Sequence, residues 1–224
     1  MIRRGFYAIL DLTCLAGREP TGLAVELLEG GCIALQLRAK DIAYPPGRLL
    51  PLARRLVSLA HRYRVPFIIN DHVPLAAMAG ADAVHLGQED MDPREARQRL
   101  HPQQGIGLST HTLDQASSAS DLALAHPELS IRYLGYGPVR ATDTKQTTDA
   151  PQGFDGLAAA CQATILPVVA IGGLSVGDAA PAARAGATAV AAISGVLGAD
   201  DVEQAARQVH ADFLTAAMEP PLED

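Results

Sequence analysis

Eight short apolar runs alternate with longer segments of helical spacing along the 224-residue chain. Nearly continuous apolar runs of this length are typical of strands buried on both faces of a parallel sheet. Between them, segments such as RLLPLARRLVSLAHRY (48–63) repeat apolar residues at the spacing of a helix. Each run therefore predicts a strand that a helix follows. The runs are FYAILD (6–11), IALQLR (33–38), PFIIN (66–70), AVHLG (83–87), GIGLS (105–109), RYLGYG (132–137), PVVAIGG (167–173) and AVAAIS (189–194).

This alternation predicts an α/β fold, a single (β/α)8 TIM barrel with a parallel eight-stranded sheet. Eight strand–helix units fit into 224 residues, and no linker interrupts them near the midpoint. A doubly wound open sheet is the alternative that the same alternation allows. With 48% hydrophobic residues, the chain can bury a large core. We expect the barrel to span residues 1–217 and the proline-rich residues 218–224 to form a flexible C-terminal tail.

Charge and cysteine content argue against several classes of partner and compartment. A net charge of −7 disfavours binding to nucleic acid or to an anionic membrane surface. Two arginines before the first apolar run resemble the start of a signal peptide, but Asp11 interrupts that run and favours a strand. Cys14, Cys32 and Cys161 lack CxxC spacing, which predicts reduced thiols. We therefore expect a cytoplasmic protein with no nucleic-acid or membrane partner.

Polar residues and glycines follow seven of the eight predicted strands. In a (β/α)8 barrel the C-terminal strand ends meet at one mouth, where such barrels place their sites. The convergence therefore predicts a site at that mouth. Its candidate residues are Gln36, Arg38 and Lys40 after the second strand, Asn70 and Asp71 after the third, Asp90 after the fourth, Ser109 after the fifth, Thr142, Thr144 and Lys145 after the sixth, Gly172 and Gly173 after the seventh, and Ile193 and Ser194 after the eighth.

Each candidate also has a purely structural interpretation. Arg38 and Lys40 are alternatively solvated charges or members of ion pairs. Asp71 is alternatively the N-cap of the following helix, and the glycine pair is alternatively a tight turn. Asp90 and Ser109 are not needed as caps, because Asp92 and Thr112 stand at the cap positions nearby. His85 lies inside a strand and is interpreted as an interior histidine with its hydrogen bonds satisfied.

The residue types indicate two anion sites and a hard cation. Aspartates on neighbouring strands near an asparagine form an oxygen-ligand set that suits Mg²⁺, which also takes substrate phosphates and keeps waters. Gln36, Arg38, Lys40 and Lys145 would hold a strongly anionic group, and a diphosphate suits this set better than one phosphate. The seventh and eighth loops form the usual monophosphate corner of such barrels. The pattern therefore predicts a group transfer with diphosphate as leaving group.

Six ordered motifs resemble those of the thiamine phosphate synthase family. They are QLRAK, INDHVPLAAMAGADAVHLGQED, GLSTHT, GYGPVRATDTK, PVVAIGG and VAAIS, and the likeness spans roughly residues 6–214. The resemblance implies a (β/α)8 barrel and a transferase. It further implies that 4-amino-2-methyl-5-hydroxymethylpyrimidine diphosphate and 4-methyl-5-(2-hydroxyethyl)thiazole phosphate are joined to thiamine phosphate, with release of diphosphate in a dissociative, Mg²⁺-assisted step.

The resemblance also implies a role for each site residue. Asp71 and Asp90 would bind Mg²⁺, and the loop after the sixth strand would close as a lid. Lys145, Arg38 and Ser109 would be the catalytic groups that contact the leaving diphosphate. The pyrimidine diphosphate would be bound by Gln36, Arg38, Lys40, Asn70, Ser109 and Lys145, and the thiazole phosphate by Thr142, Thr144, Gly173, Ile193 and Ser194.

The sequence departs from the family pattern at three places. Ala39 replaces an acidic residue, Arg140-Ala141 replaces an apolar residue and a proline in the lid, and Gly195 replaces alanine. We expect Arg140 to be a spare cation that faces solvent. Pro51 further predicts that the second helix starts late or kinks.

Two other functions stay open at this point. A thiazole tautomerase shares the barrel and would use His111 to move a proton. A non-catalytic barrel would bind ligands of the thiamine pathway without turnover. The sequence does not decide the roles of His72, His85 and His111. Barrels of this size often dimerise, so a homodimer is an expectation without a located interface.

Overall fold

The computed structural model describes residues 2–40, 46–142 and 150–219. Its strands form a closed barrel in the order β1-β2-β3-β4-β5-β6-β7-β8, and β1 pairs with β8 in parallel to close it. The predicted TIM barrel is confirmed, and the open sheet is excluded. The strands are β1 Gly5–Asp11, β2 Ala34–Arg38, β3 Phe67–Asn70, β4 Ala83–Leu86, β5 Gly105–Thr110, β6 Ile131–Tyr136, β7 Val168–Ala170 and β8 Ala189–Ala192.

Helices cover the outside of the barrel. The described helices are α1 Pro20–Glu29, α2 Pro46–Arg62, α3 Val73–Ala79, α4 Pro93–Arg99, α5 Leu113–Ala125, α6 Gly153–Ala163, α7 Ala179–Arg184, the short α8 Ser194–Leu197 and α9 Val202–Met218. Short 3-10 turns add Pro127–Leu129 and Val176–Asp178.

Alternation along each strand divides the core into two layers. Residues of one parity, such as Phe6 and Leu35, pack between the sheet and the helices. Residues of the other parity, such as Tyr7, Ile9 and Tyr133, fill the interior of the barrel. The interior layer therefore forms a packed floor beneath the C-terminal mouth.

Local capping matches the sequence pattern at two helices. Asp92 caps α4 by accepting from Arg94 N at 2.8 Å, with Pro93 at the first helical position. Thr112 caps α5 by accepting from Gln115 N at 3.2 Å. Both caps are confirmed, so nearby polar residues remain available for the site.

Some boundaries differ from the sequence prediction. Helix α2 runs through Pro51 from Pro46, so the prediction of a late start is wrong. The burial of Leu52 and Leu56 on its inner face outweighs the backbone bond that proline cannot make. Strand β7 ends at Ala170 rather than Gly173, because Gly172 and Gly173 adopt positive φ angles of 93° and 68°.

The C-terminal end of the described chain is a helix. Helix α9 reaches Met218, one residue into the segment predicted as a tail, and Arg184 donates to Glu219 at 2.8 Å. Residues 220–224 lie outside the described part of the chain. Within that described part, no helix is long and apolar enough to cross a membrane.

Candidate active site

A cavity of about 550 Å³ opens at the C-terminal mouth of the barrel. All eight strands contribute to its lining, because each strand points alternate side chains into the barrel interior. Its floor is apolar and aromatic, with Tyr7, Ile9 and Val169, and its walls are the βα loops. The mouth therefore combines a floor that is largely aromatic and aliphatic with polar walls.

The described candidates predicted from the sequence share this cavity. Thr144 and Lys145 lie outside the described residues, so the structure does not place them. The ligand contacts of the whole set stay predictions. The residues found in the lining are Gln36, Arg38, Lys40, Asn70, Asp71, Asp90, Ser109, Thr142, Gly172, Gly173, Ile193 and Ser194.

Arg38 is held in place by a buried carboxylate. Its Nη1 donates to Asp11 Oδ2 at 2.6 Å, and the Asp11 side chain is 0% exposed. Thr13 N and Thr13 Oγ1 donate to the other carboxylate oxygen at 2.9 and 2.7 Å. These three hydrogen bonds fix both side chains, so Arg38 enters the wall of the cavity in one orientation.

Asp11 is a residue that sequence reasoning missed. It ends β1, opposite Arg38 in the β1–β2 register. Asp11 lies an even number of residues after Tyr7 and Ile9, whose side chains fill the barrel interior. Because side chains alternate along a strand, this spacing could have predicted that Asp11 lies under the mouth. Asp11 does not line the cavity itself and acts there only through its ion pair with Arg38.

Lys40 pairs with Asp71 across the next wall of the cavity. Its Nζ donates to Asp71 Oδ2 at 3.0 Å, and both side chains are partly exposed. The hydrogen bond to Asp71 raises the pKa of Lys40, while burial opposes the rise. Lys40 therefore brings a positive charge beside the two site aspartates.

Asp71 and Asp90 place two carboxyls side by side. Burial first, and then the hydrogen bond to the Asp90 carboxyl, raise the pKa of Asp71, against the opposing effect of Lys40. Asp90 Oδ2 also accepts from Gly87 N at 2.6 Å. Two carboxyls this close disfavour each other's ionisation, and a cation between them would relieve that repulsion.

Asp71 is not the N-cap of the following helix, because the neighbouring residue has that role. His72 Nδ1 accepts from Leu75 N at 3.2 Å and caps α3. Asp71 itself has a φ of 60°, a left-handed conformation that costs a non-glycine residue energy. Its backbone is therefore held in an unfavourable conformation with the carboxylate in the cavity.

The oxygen ligands at the mouth suit one kind of metal ion better than another. Within the described ranges, no three His, Cys, Asp or Glu side chains gather as a metal centre. Two carboxylates beside Asn70 at an open mouth suit Mg²⁺, which takes one or two carboxylates and keeps waters or substrate phosphates as its other ligands. Asp71 and Asp90 therefore fit Mg²⁺ better than Zn²⁺.

Five side chains form a hydrogen-bonded series across the floor, which we call the interior network. Gln36 Nε2 donates to the Tyr7 hydroxyl at 2.9 Å, and the Tyr7 and Tyr133 hydroxyls are 2.7 Å apart. His85 Nδ1 lies 3.0 Å from the Tyr133 hydroxyl, and His85 Nε2 lies 2.9 Å from Ser109 Oγ. Burial raises the pKa of both tyrosines. The interpretation of His85 as a satisfied interior histidine is confirmed.

The glycine pair after β7 packs against the start of the loop after β6. A Cβ on Gly173 would lie 2.2 Å from the Ala141 carbonyl oxygen, and one on Gly172 would lie 2.5 Å from Pro138 Cα. The pair is therefore a tight turn, as the structural interpretation held, but it also allows the two loops to touch. Ile193 and Ser194, at the start of α8, complete this corner of the cavity.

Arg140 is not the spare cation expected from the sequence. Its Nε donates to Asp178 Oδ1 at 2.7 Å, and its guanidinium lies 5.2 Å from the centroid of the Phe154 ring. Asp178 also accepts from Ser175 N and Oγ at 2.9 and 2.8 Å. Arg140 therefore ties the start of the lid loop to the turn that follows the glycine pair.

His111 also lines the cavity. Its Nδ1 lies 2.5 Å from the Gly137 carbonyl oxygen. A carbonyl oxygen only accepts, so Nδ1 carries the hydrogen in this contact.

Comparison with known proteins decides the family. The model of the family "Thiamine monophosphate synthase" matches residues 6–196. Thiamine-phosphate synthases from Anaeromyxobacter dehalogenans and Xanthobacter autotrophicus are 40% and 41% identical over 93% and 94% of this chain, and over 87% and 95% of their own lengths. The chain belongs to the thiamine monophosphate synthase family. The resemblance inferred from the motifs is thereby confirmed.

A solved structure gives the same result for the fold. The thiamine phosphate pyrophosphorylase from Pyrococcus furiosus matches with a TM-score of 0.81 and 30% identity, over 96% of this chain and 98% of that one. A 3-hexulose-6-phosphate synthase from Salmonella typhimurium has a TM-score of 0.68 at 16% identity, which shows a shared fold alone. Thiamine-phosphate synthases are transferases, so the predicted enzyme class is confirmed, and the non-catalytic barrel is not favoured.

Proposed function

We propose that the cavity joins 4-amino-2-methyl-5-hydroxymethylpyrimidine diphosphate to 4-methyl-5-(2-hydroxyethyl)thiazole phosphate and releases diphosphate. One observation carries the proposal. A carboxylate pair and two oriented cations line one side of a single cavity, and the loops after β7 and β8 line another side. These two sides suit a metal-bound diphosphate and a monophosphate respectively.

Asp71 and Asp90 are the residues proposed to hold Mg²⁺. Burial and the neighbouring Asp90 carboxyl raise the pKa of Asp71 although Lys40 lies 3.0 Å away, and a cation bound between the two carboxyls would offset both effects. Mg²⁺ bound there would neutralise charge that develops on the leaving diphosphate.

Arg38, Lys40 and Ser109 are proposed to bind the diphosphate oxygens. Asp11 fixes the guanidinium of Arg38, and a preorganised donor costs little reorganisation when charge develops in the transition state. Gln36 and Asn70 line the same side. Lys145 is proposed, from the sequence alone, to complete this set when the loop after β6 closes, and Thr144 is proposed to reach the thiazole phosphate instead.

The thiazole phosphate is proposed to occupy the corner after β7 and β8. Gly173, Ile193 and Ser194 line it, and Thr142 approaches from the lid loop. This arrangement would bring the thiazole nitrogen towards the pyrimidine methylene carbon over the apolar floor. Once the C–O bond to diphosphate breaks, the nitrogen captures the carbon. The protein supplies positioning and electrostatic stabilisation and needs no general base for this step.

The experiment that tests the proposal supplies purified protein with both substrates and Mg²⁺. We expect thiamine phosphate and diphosphate to appear in equal amounts on ion-exchange chromatography. The isomeric thiazole carboxylate is assayed in parallel, because His111 would act as the proton carrier in a tautomerase. Isomerisation without thiamine phosphate would replace the synthase with the tautomerase.

The compartment and the assembly are part of the same proposal. The three cysteines are free, and a reducing cytoplasm keeps thiols in that state. A homodimer is proposed on barrel size alone, and gel filtration with light scattering tests it.

A further inference from the structure

The direction of the interior network follows from counting its hydrogens. The Gln36 amide donates to Tyr7, so the single hydrogen of the Tyr7 hydroxyl needs a different acceptor. Tyr7 is 2% exposed, and the Tyr133 oxygen lies 2.7 Å away. A buried hydroxyl without an acceptor is unfavourable, so Tyr7 donates to Tyr133.

The same count fixes the tautomer of His85. The Tyr133 oxygen accepts from Tyr7, so the Tyr133 hydroxyl donates its own hydrogen to His85 Nδ1. His85 Nδ1 is then an acceptor, and the ring hydrogen resides on Nε2. His85 Nε2 therefore donates to Ser109 Oγ, and the Ser109 hydroxyl hydrogen is left for an acceptor in the cavity that Ser109 lines.

We propose that Tyr133 is a positioning residue, which acts through His85 to make the Ser109 hydroxyl a hydrogen-bond donor towards the anionic substrate. The inference rests on the proposed function, in which Ser109 binds the pyrimidine diphosphate. Diphosphate oxygens only accept, so a donor is the orientation that they need. If the hydrogen bonds of the network ran in the opposite direction, Ser109 would donate to His85 and present its lone pairs to the anion.

Two glycines give the rings of the network their space. A Cβ on Gly107 would lie 2.3 Å from Tyr133 Cζ, and a Cβ on Gly135 would lie 3.2 Å from His85 Cε1. The Tyr133 and His85 rings stack with centroids 5.4 Å apart. Strands β5 and β6 thus lack side chains at the two places where the rings lie, so the packing of the barrel defines both ring positions.

The tautomer is measured directly by long-range ¹H–¹⁵N NMR on the full-length protein labelled at histidine, without substrates. His85→Gln identifies the His85 signals among those of the seven histidines. We expect His85 in the Nε2–H form in the unaltered protein and a loss of this single form in Tyr133→Phe. Tyr136→Phe is the matched control, because it removes one hydroxyl from the same buried strand outside the network.

Kinetics provide the second readout. We expect Tyr133→Phe to lower kcat at least about tenfold, the effect of losing a hydrogen bond to an ionised group. The KM for the thiazole phosphate should stay unchanged. In a Ser109→Ala background the Tyr133→Phe change should have almost no further effect, because both act through one hydroxyl.

Two results would overturn the proposal: an Nδ1–H form of His85 in the unaltered protein, or a Tyr133→Phe effect that adds fully to that of Ser109→Ala. The NMR result does not depend on catalysis. A protein with the expected tautomer but no thiamine phosphate synthesis would contradict the proposed function and leave the direction of the network intact.

Discussion

At the scale of single residues, Asp71 carries the most information about the site. Its backbone is left-handed, its pKa is raised by burial and by Asp90, and the cap of α3 is supplied by His72. None of these features stabilises the fold. Strain and a poorly compensated charge in one residue are typical of a functional position.

We predict that Asp71→Asn keeps or slightly raises the melting temperature and lowers turnover at least about a hundredfold. A raised pKa in the folded state means that the ionised carboxyl destabilises the fold above its unfolded pKa, so a neutral amide removes a penalty. Differential scanning fluorimetry and steady-state kinetics measure the two effects.

Asp92→Ala is the matched control for that substitution. It removes a real N-cap outside the cavity, so it should cost about 1 kcal/mol of stability and leave turnover nearly intact. If Asp71→Asn behaves like Asp92→Ala, Asp71 is structural.

The affinity for the metal ion should begin to fall at a higher pH than it would for aspartates with ordinary pKa values. A protonated carboxyl does not bind Mg²⁺, and the pKa of Asp71 lies above the ordinary aspartate value of about 3.9. Affinity should therefore fall as the pH drops through that raised pKa, as measured by electron paramagnetic resonance with Mn²⁺ as the probe. An affinity that stays constant down to a pH of about 4 would contradict the assignment.

At the scale of elements, the loops after β6 and β7 contact each other at the mouth of the barrel. Arg140 N donates to the Gly172 carbonyl at 2.9 Å, and the Arg140 side chain bonds Asp178 beyond the glycine pair. The first residues of the loop after β6 therefore share a backbone and a side-chain contact with the loop after β7. The part of the lid that follows Thr142 lies outside the described residues up to Ala150.

Gly173→Ala should disrupt this contact. The new Cβ would lie 2.2 Å from the Ala141 oxygen at a φ of 68°, so we expect a stability loss of about 1–3 kcal/mol and a weaker affinity for thiazole phosphate. Gly177→Ala has open space around it and is the matched control, with no loss expected. Chemical denaturation and KM values compare the two, and equal behaviour would contradict the proposed contact.

Arg140→Phe should lower turnover less than about tenfold, whereas Lys145→Ala should lower it at least about a hundredfold. The Arg140 side chain is 53% exposed and bonds Asp178, so its ion pair contributes under about 1 kcal/mol. Kinetics with both substrates varied separate the two variants. Comparable losses would show that Arg140 contacts substrate.

At the scale of the whole molecule, periodicity was enough to predict the architecture. Each apolar run became a strand, and the rule that barrel sites lie at C-terminal strand ends placed Asp71, Asp90 and Ser109 at one mouth. The family motifs then assigned roles to these residues.

The remaining features depend on contacts between distant strands, which one sequence does not reveal. Asp11 orients Arg38, and Tyr133 contacts both Tyr7 and His85, but nothing in short apolar runs says which side chains meet inside a barrel. The prediction that Arg140 is a spare cation is wrong for the same reason, because its partner Asp178 lies 38 residues away in the sequence.

The proposed Mg²⁺-assisted synthesis is tested most directly by the rate of thiamine phosphate formation with both substrates saturating. The rate is measured on the purified protein first in EDTA and then after Mg²⁺ is restored in excess. We predict a loss of at least about a hundredfold in EDTA and full recovery with Mg²⁺, because Asp71 and Asp90 are proposed to bind the leaving diphosphate through the ion. Undiminished synthesis in EDTA, or no synthesis after Mg²⁺ is restored, would contradict it.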